Sequence, residues 1–70
     1  MKKYDITIYG RANTILLSIQ GREIHNECVV AKNQNEAKRQ VLDNFYANLN
    51  SVDRGLISRH DIKIECEIVD

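Results

Sequence analysis

Ten basic and ten acidic side chains leave this 70-residue chain with no formal net charge at pH 7. That balance disfavours a general DNA or RNA binder, whose affinity comes mostly from phosphate contacts. So short a chain builds one domain, residues 1–70, around a single small hydrophobic layer. A catalytic cavity would consume much of that layer, so an enzyme is not expected, and a dimer interface would supply burial that the chain lacks.

Lys2, Lys3, Arg11 and Arg22 make the first 22 residues mildly basic, whereas Asp53, Asp61, Glu65, Glu67 and Asp70 make the last 20 mildly acidic. Such a bias can steer a partner. Two cysteines, Cys28 and Cys66, are too few for a disulfide framework and suit a reducing, cytoplasmic setting. No apolar run approaches the roughly 18 residues of a membrane span, and the first residues carry no signal-peptide core.

Strand one, about Lys3 to Tyr9, alternates polar and apolar residues, which gives one buried and one wet face. Gly10-Arg11-Ala12-Asn13 reads as a four-residue hairpin loop. Strand two, Thr14 to Gln20, then places Ile15, Leu17 and Ile19 on one face, and Gly21-Arg22 is a two-residue turn. In strand three, Glu23 to about Ala31, Ile24, Cys28 and Val30 share the apolar face with Asn26 among them. A polar group there needs a partner or water, so an edge position or a bulge near Asn26 is expected.

The helix begins at Asn33, a capping residue, with Glu36 three positions on. Ala37, Val41, Phe45 and Leu49 recur every four residues, flanked by Leu42 and Tyr46, and form its apolar stripe. The helix fades around Asn48 to Asn50. An irregular stretch, Ser51 to His60, follows, in which Leu56 and Ile57 plug the core edge. Strand four, Asp61 to Val69, turns Ile62, Ile64, Cys66 and Ile68 inward and Lys63, Glu65 and Glu67 outward. The expected fold is α+β: a four-stranded mixed or antiparallel sheet, β-β-β-α-β, with one helix on one face. The expected strand order is 4-1-2-3, with strand four parallel to strand one.

Four constellations bear on chemistry. His25, Cys28, His60 and Cys66 make a Cys₂His₂ set on paper, but His25 and Cys28 fall on opposite strand faces and cannot converge on one tetrahedral ion. With both thiols expected on buried faces, neither is a candidate nucleophile, and no metal or cofactor is expected. Glu65 and Glu67 lie about 7 Å apart on one face. They sit on the solvated face beside Lys63, whereas an acid catalyst needs burial or a close like charge. Arg54, Arg59 and His60, in the loop before strand four, form a basic set suited to binding. The open sheet face offers Tyr9 alone as a stacking residue, short of the two or three aromatics of an RNA platform.

The run Val29-Val30-Ala31-Lys32-Asn33-Gln34-Asn35-Glu36-Ala37, followed after the helix by Ser58-Arg59-His60-Asp61-Ile62-Lys63-Ile64, resembles the archaeal ribosomal protein LX family. The same layout is similar to small phage and plasmid proteins of the DpnD/PcfM type. In size and architecture the chain also resembles phage-encoded inhibitors of the anti-CRISPR kind. The resemblance implies a non-enzymatic protein of a phage or mobile element that docks on a host protein or ribonucleoprotein and blocks it. The alternative it implies is a ribosomal-type RNA-binding module using Arg54, Arg59, Lys63, Lys2 and Lys3. For the inhibitor reading, the contact residues expected from the sequence are Arg54, Arg59, His60, Tyr9, Glu65 and Glu67. A free sheet edge could also pair with a second copy.

Overall fold

In a computed structural model describing residues 1–69, three strands, β1 (Lys2–Gly10), β2 (Glu23–Ala31) and β3 (Ile62–Val69), form one antiparallel sheet in the order β2-β1-β3. Helix α1 (Gln34–Asn48) crosses one face; a shorter helix, α2 (Ser51–Leu56), and a single 3₁₀ turn (Arg59–Asp61) connect it to β3. The fold is α+β, but the sheet has three strands rather than four.

The missing strand is Thr14–Gln20. That segment is a chain of tight turns: Thr14 N–H bonds Arg11 O, Ile19 N–H bonds Leu16 O, and Arg22 N–H bonds Ile19 O. The Thr14 hydroxyl also accepts Leu16 N–H at 3.1 Å, a local bond that competes with strand pairing. Gly21, at φ 67°, supplies the left-handed residue that turns the chain into β2. Losing one strand reverses the direction of every later element. Helix α1 therefore runs back toward the Gly10 end of the sheet, and β3 enters there with Ile62 opposite Gly10. It descends antiparallel to β1, not parallel.

The core is Tyr4, Ile6 and Ile8 of β1, Ala31 of β2, Ile62 of β3, and Ala37, Val41, Leu42 and Phe45 of α1. Each large apolar side chain buried here contributes about 1.5–3 kcal/mol. The helix starts as its sequence predicts, with Asn33 Oδ1 accepting Glu36 N–H at 2.9 Å. The Glu36 carboxylate is engaged instead by Gln40 Nε2 at 3.3 Å.

In β2 the faces are exchanged relative to expectation. A bulge skips Ile24: Ile8 pairs with His25, while Tyr9 pairs with Glu23. Below it His25, Glu27, Val29 and Ala31 share the helix side with Ile8, Ile6 and Tyr4, and Asn26, Cys28 and Val30 face solvent. Polar residues are tolerated under α1 because they are bonded. His25 Nε2 lies 3.1 Å from Glu27 Oε1, Asn44 Nδ2 of α1 donates to Glu27 Oε2, and the His25 ring packs on Phe45 at 5.6 Å. Cys28, expected in the core, is consequently exposed and Cys66 is half-buried.

Candidate binding surface

Three segments meet at the Gly10 end of the sheet: the 11–22 loop, the 3₁₀ turn and the end of α1. Asp61 organises them. Its carboxylate accepts Ser58 N–H and the Ser58 hydroxyl, each at 3.0 Å, and the Thr14 hydroxyl at 2.9 Å. The Ser58 backbone bond, then the Thr14 and Ser58 hydroxyls, hold its pKa below the ordinary carboxylate value, with a smaller contribution from His60.

The loop is pinned at both ends. Arg11 N–H donates to Asp61 O at 2.8 Å, and Arg11 Nε to Ile62 O at 2.8 Å. Gly10 N–H donates to Arg22 O at 2.9 Å, Gly21 N–H to Gly10 O at 3.1 Å, and Gln20 Nε2 to Ala12 O at 2.7 Å. Thr14 is buried in this bracing. Between the pins, Ile15 is 88% and Leu17 75% exposed, although both were expected in the core. Two large aliphatic side chains are thus held in water by a tied backbone.

The residues expected to bind are not gathered into one site. Arg54 is committed to structure: Nε donates to Tyr46 O at 3.1 Å, and a terminal nitrogen to Leu49 O at 3.0 Å and Ala47 O at 3.4 Å. It caps the free carbonyls at the end of α1, where a cation is favoured. Arg59 and His60 are exposed in the 3₁₀ turn beside the loop's anchor. Tyr9, half-buried, lies on the open face opposite Lys63 and Glu23. Glu65 and Glu67 are exposed farther along that face; Glu65 pairs with Lys63 at 3.3 Å, and Glu67 sits opposite Asp5. Leu56, expected to plug the core, is 57% exposed on α2, while Ile57 packs against the core.

Asp5, Glu65 and Glu67 give the open face an acidic centre, and Asn26 Nδ2 clips onto Asp5 Oδ1 and Thr7 Oγ1 at 2.8 and 2.9 Å. Anionic side chains where a phosphate backbone would lie oppose nucleic-acid binding on this face. Near the end of α1 the Tyr46 hydroxyl is buried without a hydrogen-bond partner, and burial pushes its pKa up, moderated by nearby Arg59. His25 and Cys28 project from opposite faces, and the described residues contain no group of metal-ligating side chains and no enclosed pocket. No described helix is long and apolar enough to cross a membrane.

The exposure of Ile15 and Leu17 runs against the alternation, which placed them on the apolar face. Their polar neighbours Asn13, Thr14 and Ser18, all turn formers, were the available signal against a strand. No family model matches the sequence, and neither does any curated protein or solved structure.

Proposed function

We propose that this chain is a small non-enzymatic binding protein of phage or mobile-element type that acts in the cytoplasm. It docks on a larger host protein, free or within a ribonucleoprotein, and blocks that surface. The observation that carries the reading is the exposure of Ile15 and Leu17 on a loop tied down at both ends. Burying such a side chain in a partner contributes about 1.5–3 kcal/mol, and a loop already held in shape loses little freedom on docking. Arg22, Arg59 and His60 are exposed at the same end of the molecule, so the fitting partner is an apolar recess bordered by carboxylates. Aliphatic side chains give bases nothing to stack on, which favours protein over RNA.

The test is affinity capture from host lysate with three proteins: wild type, Ile15→Ser with Leu17→Ser, and Arg59→Glu with His60→Glu. One stoichiometric protein is expected with wild type and neither variant should retain it, while melting temperatures stay unchanged because all four side chains are exposed. Capture of the same protein by the Ile15/Leu17 variant refutes the assigned surface. Recovery of RNA alone, lost steeply with salt, refutes the function and returns the ribosomal-type alternative.

A further inference from the structure

The sheet has two free edges, and β3 is the one left undefended. Gly10 N–H and C=O both bond toward β2, to Arg22 and Gly21, whereas Arg11 N–H bonds toward β3, to Asp61. Backbone groups alternate in direction along a strand, so Lys63, Glu65 and Glu67 are the β3 residues whose backbone bonds β1. Those of Ile62, Ile64, Cys66 and Ile68 point away from the sheet. The Ile62 carbonyl agrees: it is reached from outside by Arg11 Nε. Beyond it the edge is bare. By contrast, β2 carries the Ile24 bulge, which disrupts pairing, and is clamped to α1 through Glu27 and Asn44.

The inner face of β3 is also poorly covered, because α1 packs chiefly on β2 and β1. Ile64 and Cys66 are half-buried and Ile68 is 54% exposed. The outer face carries a self-complementary charge pattern. Lys63 and Glu65 flank Ile64 and already pair within the strand at 3.3 Å. With Ile64 on a two-fold axis perpendicular to the sheet, Lys63 of each copy faces Glu65 of the other. Centring on Glu65 would oppose that carboxylate to its own copy, and centring on Cys66 would oppose Glu65 to Glu67. Like charges directly across strands destabilise pairing, so of these three centres the charges favour Ile64.

We propose that two copies of this chain pair antiparallel through β3, with Ile64 on the two-fold axis and Lys63–Glu65 pairs locking the register. The sheet then continues across residues 62–66 of both copies, both α1 helices lie on the same side, and Ile64 and Cys66 are covered between them, with the Arg11 guanidinium yielding the Ile62 carbonyl to Cys66 of the other copy. The Ile15 and Leu17 side chains are not among the residues that pair, and the loop touches this edge through Arg11 on the Ile62 carbonyl, so replacing Ile15 and Leu17 tests docking without altering the paired residues.

Sedimentation equilibrium tests it. Mass rises from one chain to two with concentration for wild type. Lys63→Glu or Glu65→Lys weakens association by about tenfold or more, as two attractive cross-strand pairs become repulsive. The combined K63E/E65K exchange restores it, and dilute melting curves confirm that each variant folds. On wild type, amide exchange at Ile64 and Cys66, fast in the dilute chain, slows as concentration rises, a readout that needs no variant. A single-chain mass up to millimolar concentration overturns the proposal, as does a dimer indifferent to both charge reversals. The Ile15→Ser, Leu17→Ser protein should dimerise normally.

Discussion

Gly10→Ala is the sharpest probe of how the loop is held. Gly10 is buried at the end of β1, and the loop returns across it so closely that an added Cβ would overlap the Ile19 carbonyl oxygen and lie 2.5 Å from its carbon. Non-bonded carbon contacts settle near 3.5–4.0 Å, so the Ile19 peptide must withdraw by on the order of 1.5 Å. That movement breaks the bonds from Gly10 N–H to Arg22 O and from Gly21 N–H to Gly10 O, now 2.9 and 3.1 Å. Two backbone bonds at about 1 kcal/mol each, with one donor left inside, amount to roughly 2–3 kcal/mol. In a domain of this size that lowers the melting temperature by roughly 10–20 °C. Thermal melting followed by circular dichroism gives the shift, and amide exchange at Gly21 and Arg22 localises it. If Gly10→Ala melts within about 2 °C of wild type with those amides still protected, the close approach does not hold the loop and the reasoning fails.

Arg54→Ala should destabilise by about 1 kcal/mol, or ~4–8 °C, since it removes a cationic cap from α1; Arg54→Lys should recover only part, lacking the planar fork. A chemical-denaturation midpoint equal to wild type would contradict the capping role. Tyr46→Phe should stabilise by about 1 kcal/mol, because the buried hydroxyl has no partner to lose. Burial raises the Tyr46 pKa, so wild type should also lose stability as pH climbs from its ordinary value near 10 through the native one, and Tyr46→Phe should lack that part of the alkaline limb. Asp61 has a lowered pKa, so its contribution is present above about pH 4 and fades as pH falls through the native value. The stability gap between wild type and Asp61→Asn should therefore be full at pH 7 and narrow in acid; a gap constant with pH would remove the carboxylate from this role.

The legible parts of the sequence were those in which periodicity and packing agree. Tyr4, Ile6 and Ile8 alternate and are buried, and Ala37, Val41 and Phe45 recur every four residues and line the buried face of α1. The 14–20 segment alternates equally well, yet its Ile15 and Leu17 are left in water. Alternation reports a pattern of side chains, not what they meet. There a Thr14 hydroxyl bonded to Leu16 N–H and to Asp61, distant in sequence, outweighs strand propensity. One inserted residue, Ile24, explains the exchanged faces of β2, since a single-residue slip moves every side chain across the sheet. Of the candidate contact residues, Arg59 and His60 lie beside the exposed loop. The capping role of Arg54 is not legible, because no local pattern shows that its guanidinium turns back onto the Tyr46, Ala47 and Leu49 carbonyls.

The central strand is the first one synthesised. Because β1 lies between β2 and β3, and Lys3 pairs with Val69, the middle of the sheet gains its second neighbour only after the whole stretch from Gly10 to Ile62 has been crossed. A nascent chain holding only β1, β2 and α1 leaves the edge of β1 that β3 will cover open, the kind of surface that recruits chaperones or aggregates. Closing so distant a contact makes arrival of β3 the slow step in maturation. A chain ending before Ile62 should accordingly be protease-labile rather than a stable subdomain.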